Sequence, residues 1–264
     1  MGTLENKVIW ITGASSGIGE ELAYQLSQRS CRLILSARRA EELEKVRKAC
    51  QNPDQVAVLP LDIIAYDTME AKVRQAIDTY GSIDILINNA GISQRSLIVE
   101  TDFEVYRQMM EVNYFGTVAL TKAVLPYFVS RKQGHFVVVS SLMGRFSSPY
   151  RSGYCGAKHA LHGFFDALRL EHDADQIDVT LVCPGFVQTE IAKNALTKDG
   201  SPQGADDGAT QNGLPVAVFC KKMIRAIESA RFEVYIGGKE VKGIFMKRFF
   251  PKKLHRLVLK STVR

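Results

Sequence analysis

Tyr154 and Lys158 stand four positions apart in the run YCGAK. On a helix, residues four apart project from one face, one above the other, so this spacing sets a phenol beside an ammonium. A phenol at its ordinary pKa of about 10 keeps its proton at neutral pH. A neighbouring cation favours the phenolate and moves the group towards the range in which it exchanges a proton with a substrate oxygen. Ser141 lies thirteen positions before Tyr154 and follows the apolar run HFVVVS, His135 to Ser140. That run reads as a buried strand. A hydroxyl at its C-terminal end can face the helix carrying Tyr154 and hydrogen-bond the same carbonyl. Such Tyr and Lys pairs also occur on ordinary surface helices, so the rest of the chain must decide what this one does.

The elements that position these side chains follow from an alternation of strand-like and helix-like segments. VIWIT (Val8 to Thr12), RLILSA (Arg32 to Ala37), QVAVLPLD (Gln55 to Asp62), IDILINNAG (Ile83 to Gly91), the run before Ser141, DVTLVC (Asp178 to Cys183) and Phe232 to Ile236 read as strands. Apolar residues at helical spacing mark Ile18 to Ser30, Glu41 to Cys50, Met69 to Tyr80, Phe103 to Ser130, the Tyr154 segment through Leu170, and Pro215 to Ser229. This order predicts an α/β fold: a doubly wound, Rossmann-type parallel sheet of about seven strands with helices on both faces. Residues 1 to 237 form one dinucleotide-binding and catalytic domain in this reading, and 238 to 264 a basic, apolar extension.

In such a sheet, ligands sit beyond the carboxyl ends of the strands, where the strand order reverses. TGASSGIG, Thr12 to Gly19, falls at that end of the first strand. Glycines there let the backbone approach a pyrophosphate, whose charge the following helix N-terminus favours. The second strand ends SARR, Ser36 to Arg39. No carboxylate stands where it would repel a 2′-phosphate, and the Arg38 guanidinium can pair with one, which predicts NADPH/NADP+. Five cysteines form no CxxC pair and an odd count, so neither a disulfide framework nor a zinc site is indicated. No metal site is expected.

TGASSGIG, NNAG (Asn88 to Gly91), Asn113, Ser141, YCGAK and PG followed by Thr189 occur in order over essentially the whole chain. In this the sequence resembles the short-chain dehydrogenase/reductase family, most closely the branch that includes 11-beta-hydroxysteroid dehydrogenase. The resemblance implies that Tyr154 is the general acid in carbonyl reduction, or the base in alcohol oxidation, while Ser141 holds the carbonyl. Lys158 would bind the nicotinamide ribose and favour the phenolate, and Asn113 would anchor a water that links Lys158 to solvent. Thr12, Gly13, Ser15, Gly17, Ile18 and Gly19 would surround the pyrophosphate, Asp62 and Ile63 the adenine, and Asn89, Ala90 and Gly91 the adenosine ribose. Pro184, Gly185, Val187 and Thr189 would close over the nicotinamide. His159, His162 and Cys155 sit beside this machinery but have packing roles in this reading.

The substrate wall is expected to comprise Gln94, Met143, Phe146, Tyr150 and Phe186, a set suited to a hydrophobic carbonyl compound. The polar stretch from Asn194 to Gly213 is a candidate lid over it. The outer faces of Phe103 to Ser130 and Gly153 to Leu170 would pair across a two-fold axis in a homodimer or homotetramer. From Gly238 onward nine Lys or Arg face a single acid, and this tail's +8 leaves −2 on the rest of a chain whose net charge is +6. Its interleaved Phe and Leu residues would either lie in a membrane headgroup boundary or pack back onto the protein. No nucleic-acid motif accompanies the charge. Only seven residues precede the first apolar run and no 18-residue apolar run follows, so a cytoplasmic protein, with peripheral membrane contact through the tail, is expected. A cofactor-sensing module with little turnover is the alternative reading.

Overall fold

The computed structural model describes residues 4–205 and 207–261. Asp206 in the expected lid and Arg264 in the tail lie outside them. The element order is β1 (Val8–Thr12), α1 (Gly17–Leu26), β2 (Arg32–Ser36), α2 (Ala40–Ala49), β3 (Val56–Val58), α3 (Met69–Tyr80), β4 (Ile85–Asn88), α4 (Phe103–Met110), α5 (Gly116–Arg131), β5 (Gly134–Val139), α6 (Ser152–Glu171), β6 (Ile177–Pro184), α7 (Gly208–Gln211), α8 (Val216–Glu228), β7 (Glu233–Ile236), α9 (Lys242–Phe249) and α10 (Pro251–Lys260).

Seven strands form one parallel sheet in the order β3-β2-β1-β4-β5-β6-β7. The reversal between β1 and β4 is where a Rossmann-type sheet opens its ligand crevice. Side chains alternate between the two faces of each strand, and both faces are covered. Ile9 and Ile11 of β1 join Leu22 of α1, Leu43 of α2 and Phe219 of α8 on one face. Val8 and Trp10 point to the other, with Val73 of α3, Phe128 of α5 and Phe165 of α6. Burial on both sides is why these strands read as continuous apolar runs rather than as alternating ones.

The tail is part of this body. Leu254 of α10 is buried with Leu142, Phe146 and Cys183, which stand at the carboxyl end of β5 and β6. Gly243 in α9 allows the close approach: a Cβ there would lie 2.8 Å from the Phe146 ring. Glu240, in the short turn before α9, accepts from the backbone N–H groups of Phe186 (3.2 Å) and Gly238 (2.9 Å) and so ties the tail to the end of β6. The described part of the extension, residues 238–261, therefore packs on the carboxyl end of the sheet. Leu254 is the side chain buried there, while Phe249, Phe250 and Leu257 remain about half exposed or more.

Candidate active site

Ser141 follows β5 and caps the short turn Leu142–Gly144, its Oγ accepting from the Met143 N–H at 3.0 Å. The α6 helix carries Tyr154 and Lys158 on its first two turns, facing that strand end. Lys158 is buried; its Nζ donates to the Val139 carbonyl at 2.9 Å and sits 5.7 Å from the centre of the Tyr154 ring. Burial lowers the ammonium pKa to about 8. Asn113 lies in a π-helical turn, Glu111–Phe115, between α4 and α5. Its Nδ2 donates to the Ile92 and Met109 carbonyls, both at 3.1 Å, and its Oδ1 accepts from the Ile92 N–H at 3.1 Å. One extra residue in a helical turn frees a carbonyl from the regular ladder, a device common at functional sites. Gly91 marks where the parts meet: a Cβ there would be 2.7 Å from Asn113 Oδ1 and 3.5 Å from Lys158 Nζ.

Burial pushes the Tyr154 pKa up; the Ser141 hydroxyl pulls against that, as do the Arg95 and Arg151 guanidinium groups, while Cys155 adds to it. Lys158 lies over the ring and donates to the Val139 carbonyl. A raised pKa keeps the proton on Tyr154, the form required of a general acid.

These groups open into a cavity of about 440 Å³, within the usual range for small-molecule sites. Asn113, Ser141, Tyr154 and Lys158 form its floor, and Met246, Leu254, Leu257 and Val258 of the tail helices form an apolar roof. Met143, Phe146 and Phe186 line it. Gln94 does not. It is fully buried, its Oε1 accepting from the Gly153 N–H at 2.7 Å and its Nε2 donating to Ser96 and Thr101 at 3.0 and 3.3 Å, so it braces the start of α6. Tyr150 is also outside the wall: it turns the chain with φ 65°, and its carbonyl accepts from the Ser96 N–H at 3.1 Å. Among the described residues from Asn194 to Gly213, only Thr210 reaches the cavity. Leu196 is bonded through its N–H to Ser93 and through its carbonyl to Arg95, both at 2.8 Å, and the tail supplies the cover instead.

The cofactor side is built around the ends of β1 and β4. Thr12 Oγ1 donates to the Ile87 carbonyl at 3.2 Å and accepts from the N–H groups of Asn89 (3.0 Å) and Ala90 (3.1 Å). Gly13 and Gly17 have φ of 63° and 57°, a region that favours glycine. A Cβ on Gly13 would lie 2.9 Å from the Ala90 Cα, one on Gly17 would lie 3.3 Å from the Thr189 side chain, and one on Gly19 would lie 2.3 Å from the Gly13 carbonyl oxygen. Ser15 is half-buried in this turn. Ser16, the residue before α1, makes no side-chain cap, which leaves the first N–H groups of the helix for an anion. Ile18, Asn89, Gly91, Pro184, Gly185, Val187 and Thr189 line the cavity. Arg38 and Asp62 are exposed beyond the ends of β2 and β3, outside the cavity itself, while Ile63 is buried with its carbonyl against Gly116. An uncapped helix start, a tight glycine turn and a groove leading to Tyr154 fit a dinucleotide.

Two neighbouring clusters had no sequence signal. Arg95 and Arg151 line the cavity beside Tyr154 and share the buried carboxylate of Asp207. Behind α6, His162, Cys183 and Glu233 offer ligand atoms within 4.8 Å of one another, but Arg145 already holds both oxygens of Glu233. His162 instead meets Ser140, its Nε2 lying 2.9 Å from the hydroxyl.

Comparison with known proteins agrees with this geometry. The short chain dehydrogenase family model matches residues 7–200. Human dehydrogenase/reductase SDR family member 7 is 44% identical over 239 residues, covering 88% of this chain and 70% of its own length. The 7-like protein of Anopheles gambiae is 39% identical over 264 residues, covering 98% of this chain and 83% of its own. A short chain dehydrogenase from Burkholderia cenocepacia in complex with NADP superposes with a TM-score of 0.82 at 25% identity, over 98% of this chain and 100% of that one. One from Burkholderia phymatum in complex with NAD has the same fold, with a TM-score of 0.84 at 20% identity over 100% of this chain and 98% of that one. The chain belongs to the short-chain dehydrogenase/reductase family of oxidoreductases.

Proposed function

We propose that the protein reduces hydrophobic carbonyl compounds with NADPH, and oxidises the corresponding alcohols with NADP+ when concentrations favour it. The observation that carries this reading is a single cavity with Ser141, Tyr154 and Lys158 on its floor and an apolar roof. Ser141 holds the carbonyl oxygen and Tyr154 gives it a proton as negative charge develops there. The bound nicotinamide supplies the hydrogen and electron pair that reduce the carbonyl carbon. Lys158 and Asn113, which meet beside Gly91, carry a replacement proton towards Tyr154. One NADPH, one proton and one carbonyl thus give one alcohol and one NADP+.

The preference for NADPH rests on the exposed Arg38 just past β2, where no acid stands. Two features of the surface extend the reading. Half-buried apolar residues on α5 and α6, among them Val118, Leu125 and Phe164, suit a homodimer or homotetramer packed through these helices. Phe245, Phe249 and Phe250 cluster on the exposed side of the roof among Lys247, Arg248, Lys252 and Lys253, which suits peripheral contact with an anionic membrane and delivery of substrate from it. The defining experiment follows NADPH consumption with a panel of aliphatic, aromatic and steroidal ketones and aldehydes. Turnover with NADPH exceeding that with NADH supports the assignment, whereas saturable cofactor binding with no turnover of any carbonyl overturns it in favour of a sensing module.

A further inference from the structure

Among the described residues, two arginines in the cavity wall next to Tyr154 share a single carboxylate. The Arg95, Arg151 and Asp207 side chains are 10%, 5% and 1% exposed. Both guanidinium groups bond the same oxygen, Asp207 Oδ2: Arg95 through Nε (3.1 Å) and Nη2 (2.7 Å), Arg151 through Nη2 (3.0 Å). The other oxygen, Oδ1, accepts from the Thr210 N–H at 2.7 Å and starts α7. Arg95 spends two further N–H groups on the Ser93 hydroxyl and the Gln94 carbonyl, both at 2.7 Å. Arg151 makes one more contact, to the Ser148 hydroxyl at 3.4 Å.

A guanidinium carries five N–H donors. Among the described residues these bonds leave Arg95 one donor and Arg151 three, and the trio itself carries one net positive charge. Tethering α7 to α6 would need only one of the two arginines. A buried charge without a counter-charge is costly unless something pairs with it. Burial and the repulsion of Arg95 accordingly pull the Arg151 pKa down to about 10, against the opposing pull of Asp207. Both arginines line the cavity, and among the described residues Asp207 is the acid that pairs with them. Arg151 immediately precedes α6 and stands three residues before Tyr154, and both side chains line the cavity.

We propose that Arg95 and Arg151 form an anion subsite, so that the preferred substrates are oxo acids: a carbonyl at Ser141 and Tyr154, a carboxylate a short chain away on the two arginines, and an apolar body under Met246, Leu254 and Val258. The proposal rests on the carbonyl-reductase reading above and deepens it. A carboxylate fits because two planar guanidinium groups offer forked donors to its two oxygens. The same charges lower the phenol pKa, so a bound carboxylate also leaves Tyr154 more firmly protonated for its role as acid.

The test uses straight-chain 4-oxo-, 5-oxo- and 6-oxododecanoate with their methyl esters, which share the apolar body and differ in the charge. Affinity is read by calorimetry on the NADPH-saturated protein, and turnover by NADPH consumption. The best acid is expected to exceed its ester by roughly 10- to 100-fold in affinity and in kcat/KM, the scale of a charge-assisted pair. That ratio should collapse towards one in Arg151→Leu. Because this variant risks misfolding, Asp207→Asn provides a second arm. It keeps the cap on α7 and removes the counter-charge, so the preference for the acid should rise. Equal affinities of acid and ester, or a ratio unchanged in both variants, overturn the subsite even if both compounds are reduced. Tighter binding of the acids with neither compound reduced upholds the subsite and overturns the reductase reading.

Discussion

Acidification from pH 7 to pH 5 should destabilise this protein through two buried histidines. His135 lies on β5 with its Nε2 2.8 Å from the Thr180 hydroxyl, and His162 lies on α6 against Ser140. Burial lowers both pKa values to about 4, with Arg145 adding to the effect at His162 and Glu233 opposing it. The unfolded chain takes up these protons near its ordinary pKa of about 6.5 and the folded one does not, so stability falls as the pH drops from 6.5 towards 4. At pH 5 the loss amounts to about 2 kcal/mol for each ring, or about 4 kcal/mol for both. Urea unfolding at the two pH values, followed by circular dichroism, measures it. His135→Gln and His162→Gln each keep an amide near the bonded nitrogen but cannot be protonated. Each should abolish about half of the pH-dependent loss, whatever it costs at pH 7 itself. If the difference between pH 7 and pH 5 is the same in the parent and both variants, the buried-neutral assignment is wrong.

Three further outcomes follow from the arrangement. Arg38→Ala should weaken NADPH binding by roughly tenfold or more, the scale of a lost charge-assisted pair, and leave NADH within about twofold; a parallel loss for both cofactors would refute the phosphate assignment. Size-exclusion with light scattering at micromolar concentration should give a dimer or tetramer, and a monomeric mass would contradict pairing through α5 and α6. Phe245→Ser/Phe249→Ser alters only exposed side chains, so it should abolish sedimentation with anionic liposomes at low salt without changing the melting temperature. Equal sedimentation of parent and variant would dismiss the membrane contact.

Where apolar periodicity met a clear stop signal, the sequence placed elements closely. The helix foreseen over Met69 to Tyr80 has those bounds, and Gly81 ends it in the left-handed region with φ 79°. The third strand is shorter than its apolar run, three residues from Val56 to Val58, because at the sheet edge only β2 pairs with it. The region from Phe103 to Ser130 reads as one helix. Its π-helical turn at Asn113 was not legible, since one extra residue barely disturbs a stripe of apolar side chains. The Tyr154, Lys158 and Ser141 constellation was legible because two members share a helix and the third ends a strand. Arg95, Arg151 and Asp207 were not. Their partners lie 112 and 56 positions apart, and nothing local distinguishes a paired arginine from a solvated one. The tail's composition allowed two readings, and only the fold set Leu254 inward and Phe245 outward.

The claim at the centre of this account is that Tyr154 gives the carbonyl its proton. Single-turnover reduction by NADPH-loaded Tyr154→Phe tests it most directly, using the best ketone of the panel and checking NADPH affinity in parallel. The rate should fall by about 100- to 10,000-fold, the usual contribution of a general acid, with cofactor affinity within about threefold of the parent. A variant that binds NADPH normally and still reduces the ketone within tenfold of the parent rate would contradict it.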